Sequence, residues 1–265
     1  MLFASGFMGT IEWKLPQLLV WIGCQTTVFQ FWNPEIFRGF GAGVVNGSLW
    51  TISVEIQFYV ILAVLYRALK NLTASQFNGV LVVLVVLFGA VNQWKSDLEQ
   101  TLSTTFSSPI AGKMLLASFI PWIYMFLLGV LAQRHAIQLV PFVSRYRMAI
   151  LVSTCSCLFL CKHLIGLPVG NYLPALLVPL LGCGVLVCGY TMPTLSHRIL
   201  GRNDCSYGIY IYHMPLVNLA LWLGGSGSVA AIGFVLLSTG GLSLFSWRVV
   251  ERPFLSRKRS ALRVV

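Results

Sequence analysis

Long apolar segments, more than any single motif, limit what this chain can fold into. A helix needs about 20 mostly apolar residues to cross the hydrocarbon core of a bilayer. Eight segments approach that length, near residues 16–33, 49–69, 77–94, 114–133, 148–166, 172–192, 206–223 and 228–247. They predict an all-α fold, a polytopic membrane helix bundle of about 8 transmembrane helices that forms one domain over residues 1–265.

The composition supports a membrane protein and argues against a nucleic-acid partner. Hydrophobic residues make up 57% of the chain and charged residues 9%, whereas soluble domains carry about 25% charged residues. The mean hydropathy is +0.81. The formal net charge of +11 comes from basic residues that cluster in short loops between the apolar segments. We therefore expect the lipid bilayer as a partner, and no nucleic acid.

Basic residues occur in alternate loops, and this predicts the orientation of the chain. They follow the second apolar segment, separate the fourth from the fifth, precede the seventh and follow the eighth. The intervening connections at 95–113 and 224–228 are poorly basic. The positive-inside rule then predicts a multi-pass protein of the cell (inner or plasma) membrane, with both termini in the cytoplasm.

Glu55 lies inside the second apolar segment, where an ionisable group costs about 2.5 to 3.5 kcal/mol by insertion scales. Helical periodicity places polar side chains on the same face as this carboxylate: Ser48, Thr51, Tyr59 and Tyr66. Ser53 and Gln57 fall on the opposite face, which predicts that protein surrounds the helix. Glu55 is therefore the candidate catalytic residue, as an orienting or proton-handling carboxylate, and a purely structural hydrogen-bonding role stays equally open.

His213 is the titratable candidate in the seventh segment. Periodicity places Ser206 and Tyr210 on its face, and Pro215 loosens the backbone just beyond it. Burial disfavours a charged imidazole without removing its hydrogen-bonding capacity, so a substrate-site role and a structural role both stay open. With the Glu55 helix, this face predicts a substrate-binding set: Ser48, Trp50, Ser53, Gln57, Tyr59, Tyr207, Tyr210 and His213.

Cysteine and histidine spacing does not predict a metal site. Cys155, Cys157, Cys161 and His163 form the pattern C-x-C-x3-C-x-H, which is not a usual zinc spacing. These thiols lie in an apolar segment, where cysteine behaves as a small hydrophobic residue. The chain also has no G-x-S-x-G, H-E-x-x-H or Gly-rich phosphate loop, so hydrolase, metalloprotease and nucleotide-binding functions lack support.

Three stretches resemble one known family, in the expected order. GSLWTISVEIQFYV at 47–60 is similar to the S-L-W-S-L-S-V-E-x-Q-F-Y signature of the integral-membrane acyltransferase-3 family. SYGIYIYHMPLV at 206–217 resembles its S-Y-x-x-Y-x-x-H-x-P-x helix, and VVERPFL at 249–255 resembles its closing E-R-P-F segment. The resemblance implies transfer of an acyl group, typically acetyl, from acyl-CoA to a hydroxyl of a cell-surface carbohydrate or glycolipid, with no bound cofactor.

The opening elements of that family have no counterpart in this chain. They are an arginine-rich entry motif, a histidine proposed as the catalytic base, and an F-F-x-x-S-G stretch, whereas the first arginine here is Arg38 and the first histidine His135. The chain therefore resembles an amino-terminally shortened member, whose own activity is an open question. Two alternatives stay open: a transporter or flippase, because intramembrane acids also mark substrate pathways, and a non-catalytic remnant of the family.

Overall fold

The computed structural model describes residues 15–27, 29–166, 171, 173–191, 198 and 203–255. These residues form helices joined by turns, and none of them is in a β-strand. In chain order the helices are α1 (Leu15–Gln25), α2 (Trp50–Leu69), α3 (Ala74–Gln93), α4 (Lys95–Thr105), α5 (Pro109–Leu116), α6 (Ile123–Arg134), α7 (Ala136–Arg145), α8 (Arg147–His163), α9 (Val178–Tyr190), α10 (Ser206–Trp222) and α11 (Val229–Ser246). A π-helical turn, Trp247–Glu251, continues α11. The prediction of an all-helical fold is confirmed.

Contacts within the chain group it into two compact units. The first unit joins Met1–Ser53 to His197–Val265, and the second is Val54–Ser196. The division falls inside α2, after its first turn. Each unit has its own buried core, so each is described by itself. The predicted cytoplasmic termini, at 1–14 and 256–265, lie outside the described residues.

The first unit is built from α1, α10, α11 and the loop that leads into α2. Phe37 and Phe40 are fully buried there, and the ring of Phe40 lies 6.2 Å from the ring of Trp222 at the end of α10. Helices α10 and α11 approach closely at Gly208, where an added Cβ would lie 2.8 Å from the Ser243 Cα. A side chain larger than hydrogen would therefore separate these two helices.

The second unit is packed around the contact between α3 and α6. Leu81 of α3 and Ile123 and Leu127 of α6 are buried, at 0%, 3% and 1% exposure. Helix α2 packs against this cluster through one face, formed by Phe58, Ile61 and Leu65. Their spacing of three and four residues is that of a helix with a single apolar stripe turned to its neighbours.

A polar cluster closes the end of α3 in the second unit. The buried Asn92 donates from Nδ2 to the Pro121 carbonyl at 2.8 Å, and the Tyr124 hydroxyl donates to Asn92 Oδ1 at 3.4 Å. Lys95, which is 6% exposed, donates to the Asn92 carbonyl at 3.2 Å and lies 5.6 Å from the centre of the Trp122 ring. Desolvation holds the pKa of Lys95 below its ordinary value of 10.5.

Three helices among the described residues are long and apolar enough to cross a membrane: α2, α3 and Val229–Leu255. A fourth crossing results if α6 and α7, which bend by 92° at their junction, cross as one unit. The predicted number of about 8 is not confirmed. The segment at 114–133 is interrupted beside Pro121, since proline lacks the N–H that continues a helix, and the segment at 16–33 contains only the 11-residue α1.

Candidate functional site

The first unit contains a polar cluster at the point where Pro215 interrupts the hydrogen-bond ladder of α10. Pro215 has no backbone N–H, so the carbonyl of Ile211, four residues earlier, loses its helical donor. Asn46 supplies another donor, because its Nδ2 lies 3.0 Å from the Ile211 oxygen. Its Oδ1 accepts from the backbone N–H of Ser48 at 3.0 Å. Because of the proline, the Ile211 carbonyl can accept a hydrogen bond from Asn46, and this bond joins the loop before α2 to α10.

A second asparagine, Asn218, holds the earlier part of the same loop. Its fully buried amide accepts from the Ala42 N–H at 2.8 Å and donates to the Val44 carbonyl at 2.7 Å. Gly41 lies against it with φ of +54°, and a Cβ there would lie 2.6 Å from the Asn218 Cα. Glycine adopts this conformation without strain and leaves this space free. The loop is therefore held to α10 at both of its ends.

His213 turns one ring nitrogen to the backbone and the other to a hydroxyl. Nδ1 lies 2.8 Å from the Tyr210 carbonyl and 3.1 Å from the Ile209 carbonyl. Because a carbonyl oxygen only accepts, Nδ1 carries a hydrogen. When the imidazole is neutral, Nε2, which lies 3.4 Å from Ser48 Oγ, is then its acceptor nitrogen. The backbone contacts therefore select the tautomer that leaves a lone pair beside the serine hydroxyl.

Two further hydroxyl groups complete the cluster. Tyr210 donates its hydroxyl to the Ser48 carbonyl at 2.6 Å, and Thr51 donates to the same carbonyl at 3.1 Å. The Thr51 and Tyr210 hydroxyls also contact each other. Ser48 thus meets Tyr210 through its carbonyl and His213 through its side chain. Its exposure is 7%, so both contacts form where little of the serine remains accessible.

This arrangement is suited to proton transfer. A general base must come within about 2.6 to 3.2 Å of the proton donor, and the contact is often longer without a bound substrate. The distance of 3.4 Å between His213 Nε2 and Ser48 Oγ fits that description. Within the described ranges, no three His, Cys, Asp or Glu side chains are grouped so that they could hold a metal ion. The cluster consists of an imidazole among hydroxyl groups.

The structure brings only part of the predicted substrate-binding set together. Ser48, Tyr210 and His213 form the cluster described above. Trp50 begins α2 and is half-buried, Ser53 is 1% exposed, and Tyr207 is 55% exposed in the first turn of α10. These three residues belong to the same unit as the cluster. Their predicted roles in binding a substrate stay predictions.

Glu55 belongs to the second unit and is exposed. In the part of the chain that the structure describes, it has no ion pair or hydrogen bond from its carboxylate. Tyr59 is 64% exposed, with its ring edge-on to Phe126 at a centroid distance of 6.5 Å. Among the described residues, 11% of the apolar window of this helix is buried, so its expected enclosure by protein is not seen. Helix α2 packs through the neighbouring face, that of Phe58, Ile61 and Leu65.

Gln57 has a backbone-binding role that the sequence did not reveal. Its Nε2 donates to the Ala117 carbonyl at 3.1 Å, and its Oε1 accepts from the Phe119 N–H at 3.0 Å. The amide thereby stabilises the turn between α5 and α6, where backbone groups lack helical partners. Its part in substrate binding stays a prediction. The two hydrogen bonds described here hold backbone groups.

Two residues of the cluster were missed by sequence reasoning. Asn46 precedes the apolar segment of α2, and Asn218 lies inside that of α10. An asparagine in the middle of an apolar helix is a signal, because an unpaired amide in that environment is costly. Pro215 is a second signal, because it frees a carbonyl that some donor must meet. The identity of the partner could not be read from either signal.

The described part of the chain is an apolar, all-helical protein with three or four candidate membrane spans and an imidazole nitrogen beside a serine hydroxyl. The chain belongs to the acyltransferase-3 family, since the family model, described as an acyltransferase domain, matches residues 5–248. Nodulation protein 10 of Rhizobium leguminosarum bv. viciae is similar, at 26% identity over 250 residues, which cover 88% of this chain. The chain spans 61% of that relative's length. No solved structure matches. The resemblance noted in the motifs is confirmed.

Proposed function

We propose that the chain is a membrane acyltransferase that moves an acyl group, typically acetyl, from acyl-CoA to a hydroxyl of a cell-surface carbohydrate or glycolipid. The observation that carries the proposal is the imidazole of His213, whose acceptor nitrogen lies beside the hydroxyl of Ser48. Membership of the acyltransferase-3 family supports the reaction class. We place the protein in the cell membrane with both termini in the cytoplasm, on the basis of the basic loops.

His213 acts in this proposal as the general base. Its Nε2 takes the proton of the acceptor hydroxyl while the hydroxyl oxygen attacks the thioester carbonyl carbon. The C–O bond of the new ester forms, the C–S bond breaks, and the proton passes to the departing thiolate to give the free CoA thiol. Hydrogen bonds from Nδ1 to the carbonyls of Ile209 and Tyr210 orient the ring and stabilise it while it carries the proton.

Ser48 has a positioning role in the same proposal. Its hydroxyl lies where an acceptor hydroxyl would have to approach Nε2, and its carbonyl is fixed by Thr51 and Tyr210. Glu55 is proposed, from the sequence pattern, as a carboxylate that orients substrate or handles a proton. Because Glu55 is exposed, this second role requires a direct contact between its carboxylate and a bound substrate.

The test is acyl transfer in membranes that contain either the wild-type chain or the variant His213→Asn. Asparagine keeps an N–H that can donate to the Tyr210 carbonyl, but it cannot take a proton. We expect transfer from radiolabelled acetyl-CoA to fall about 100-fold to 10,000-fold, which is the usual contribution of a general base. His163→Asn is the matched control, since His163 lies at the end of α8, outside the cluster, and its ring contacts Phe159.

The assay is run on the chain alone and on a fusion that carries the additional amino-terminal residues of a longer relative. Transfer in either form that depends on His213 supports the proposal. Equal transfer by His213→Asn and wild type would show that His213 is structural. Movement of a labelled glycolipid across the membrane without ester formation would instead identify a flippase, and neither activity in either form would identify a non-catalytic remnant.

A further inference from the structure

The second unit contains a groove of about 600 Å³ that the proposed reaction does not use. It lies between α6, α7 and α9, on both sides of the 92° bend that joins the first two of these helices. Most of its wall is aliphatic, including Leu128, Leu139, Val140, Leu181 and Leu186. Sites of about 300 to 1,000 Å³ with such walls are typical of small-molecule ligands. The groove is thus suited in size and polarity to a flexible apolar chain.

We call the part of the groove beside the bend between α6 and α7 its polar end, because Arg134 and His135 lie at this bend. Arg134 Nε donates to Asn78 Oδ1 at 2.8 Å, which fixes the orientation of that amide. Asn78 Nδ2 must then be the donor in its 3.1 Å contact with His135 Nε2. Since Nε2 accepts, a neutral His135 carries its hydrogen on Nδ1. His135 also lines the groove, so this N–H donor belongs to a residue of the groove wall.

Arg134 adds a fixed positive charge beside this donor. Its guanidinium lies 4.5 Å from the centre of the Phe77 ring, and its Nε is held by Asn78. Among the described residues, its two terminal nitrogens have no hydrogen-bonding partner. A guanidinium held in this way still presents donors that match a phosphate group.

The three described helices that form the groove carry no carboxylate. Helices α6, α7 and α9 contain no acidic residue, and no Asp or Glu occurs in the sequence between Glu99 and Asp204. An anionic group at the polar end would therefore meet attraction without a repelling neighbour.

We propose that this groove binds one acyl chain of an anionic phospholipid, with the phosphate held by His135 and Arg134. The aliphatic wall takes the chain, and burial of each methylene strengthens binding about fourfold. The basic end takes the phosphate, as basic pockets between membrane helices commonly do on the cytoplasmic side. In this proposal the bend between α6 and α7 makes room for the acyl chain and positions Arg134 and His135 to bind the phosphate.

The test measures lipid binding and does not require acyl transfer, so its result is independent of the proposed reaction. The delipidated full chain is titrated in detergent with phosphatidylglycerol or phosphatidylcholine of identical acyl chains, and bound lipids are counted by native mass spectrometry. We expect saturable binding of one phosphatidylglycerol with about fivefold higher affinity than phosphatidylcholine, which is the contribution of one basic residue near an anionic lipid.

Groove-filling variants test the place of the acyl chain. Gly129 and Gly182 line the groove, and a Cβ added at either meets no atom within 4 Å, so a larger side chain can start there without a clash at its Cβ. Gly129→Leu and Gly182→Leu should weaken the binding of both lipids about tenfold, because each side chain displaces methylenes. Gly189→Leu is the matched control, since Gly189 lies on α9 with the same open surroundings but outside the lining.

Head-group variants test the polar end. Arg134→Gln should remove the preference for phosphatidylglycerol while leaving phosphatidylcholine binding unchanged. Arg145→Gln is the control, because Arg145 is exposed at the far end of α7 and lies over the Tyr146 ring. Equal affinity of wild type for the two lipids, or wild-type binding by Gly182→Leu, would overturn the proposal. Displacement of phosphatidylglycerol by lower concentrations of palmitoyl-CoA would also overturn it, since the groove would then belong to the acyl donor.

Discussion

Asn218→Leu is the sharpest test of how the loop before α2 is held. The amide of Asn218 is 0% exposed and accepts from the Ala42 N–H at 2.8 Å. It also donates to the carbonyls of Val44 and Val45 at 2.7 and 3.3 Å. Leucine has a similar size but offers neither an acceptor nor a donor. The substitution therefore leaves one backbone N–H and at least one carbonyl without a partner.

The expected loss of stability follows from these contacts. Each buried polar group left unpaired costs about 1 to 3 kcal/mol. Two such groups, offset in part by the better burial of an apolar side chain, give a net loss of about 3 kcal/mol. For a chain of this size that loss corresponds to a fall in Tm of about 6 to 12 °C. Activity should fall as well, because the same loop positions Ser48 beside His213.

Two buried thiols allow this loss to be measured separately in each unit. Cys205 belongs to the first unit and Cys161 to the second, at 4% and 5% exposure. A maleimide dye that reacts on heating should label Cys205 at a lower temperature in Asn218→Leu than in wild type. Asn71→Leu is the control, since Asn71 is exposed in the turn between α2 and α3. This variant should unfold at the same temperature as wild type.

A double-mutant cycle with Gly41→Ala tests the origin of the effect. An alanine Cβ would lie 2.5 Å from Asn218 Oδ1, so the single variant should also release the loop. If both substitutions act through the same anchor, the double variant loses less stability than the sum of the two. Full additivity, or a Tm for Asn218→Leu within about 1 °C of wild type, would refute the reasoning about this anchor.

Three further predictions follow from separate features. Glu55→Gln should keep the protein in the membrane and lower acyl transfer about 100-fold to 10,000-fold; unchanged turnover at normal expression would leave this carboxylate without a catalytic role. A reporter fused after Val265 should be cytoplasmic and one inserted near Ser103 external, and an external carboxyl terminus would contradict the predicted topology. Lys95 titrates below 10.5 when folded, so the unfolded chain binds more protons between that lowered pKa and 10.5, and stability rises with pH across this window. The Tm of wild type relative to Lys95→Met should therefore increase as the pH approaches 10.5, and a constant difference would show that Lys95 is not desolvated.

Local helix formation could be predicted well where a segment is uniformly apolar. The predicted segment at 206–223 matches α10, Ser206–Trp222, and that at 228–247 matches α11, Val229–Ser246. Prediction was poorer near Pro121 and in the polar stretch at 95–113, where α4 and α5 form as separate short helices. Hydropathy measures how apolar a segment is, and it does not show where the backbone hydrogen-bond ladder stops.

The class of protein, the family and the candidates Ser48, Tyr210 and His213 could be predicted before the fold was known, because composition and ordered motifs are properties of the chain alone. Which of these side chains meet depends on the folded backbone. Asn46 reaches a carbonyl 165 residues away, and Asn218 reaches an N–H 176 residues away. Those contacts place Ser48 next to the acceptor nitrogen of His213. Hydrogen bonds have short reach and strict direction, so only the folded backbone could select these partners from the many polar groups in the sequence.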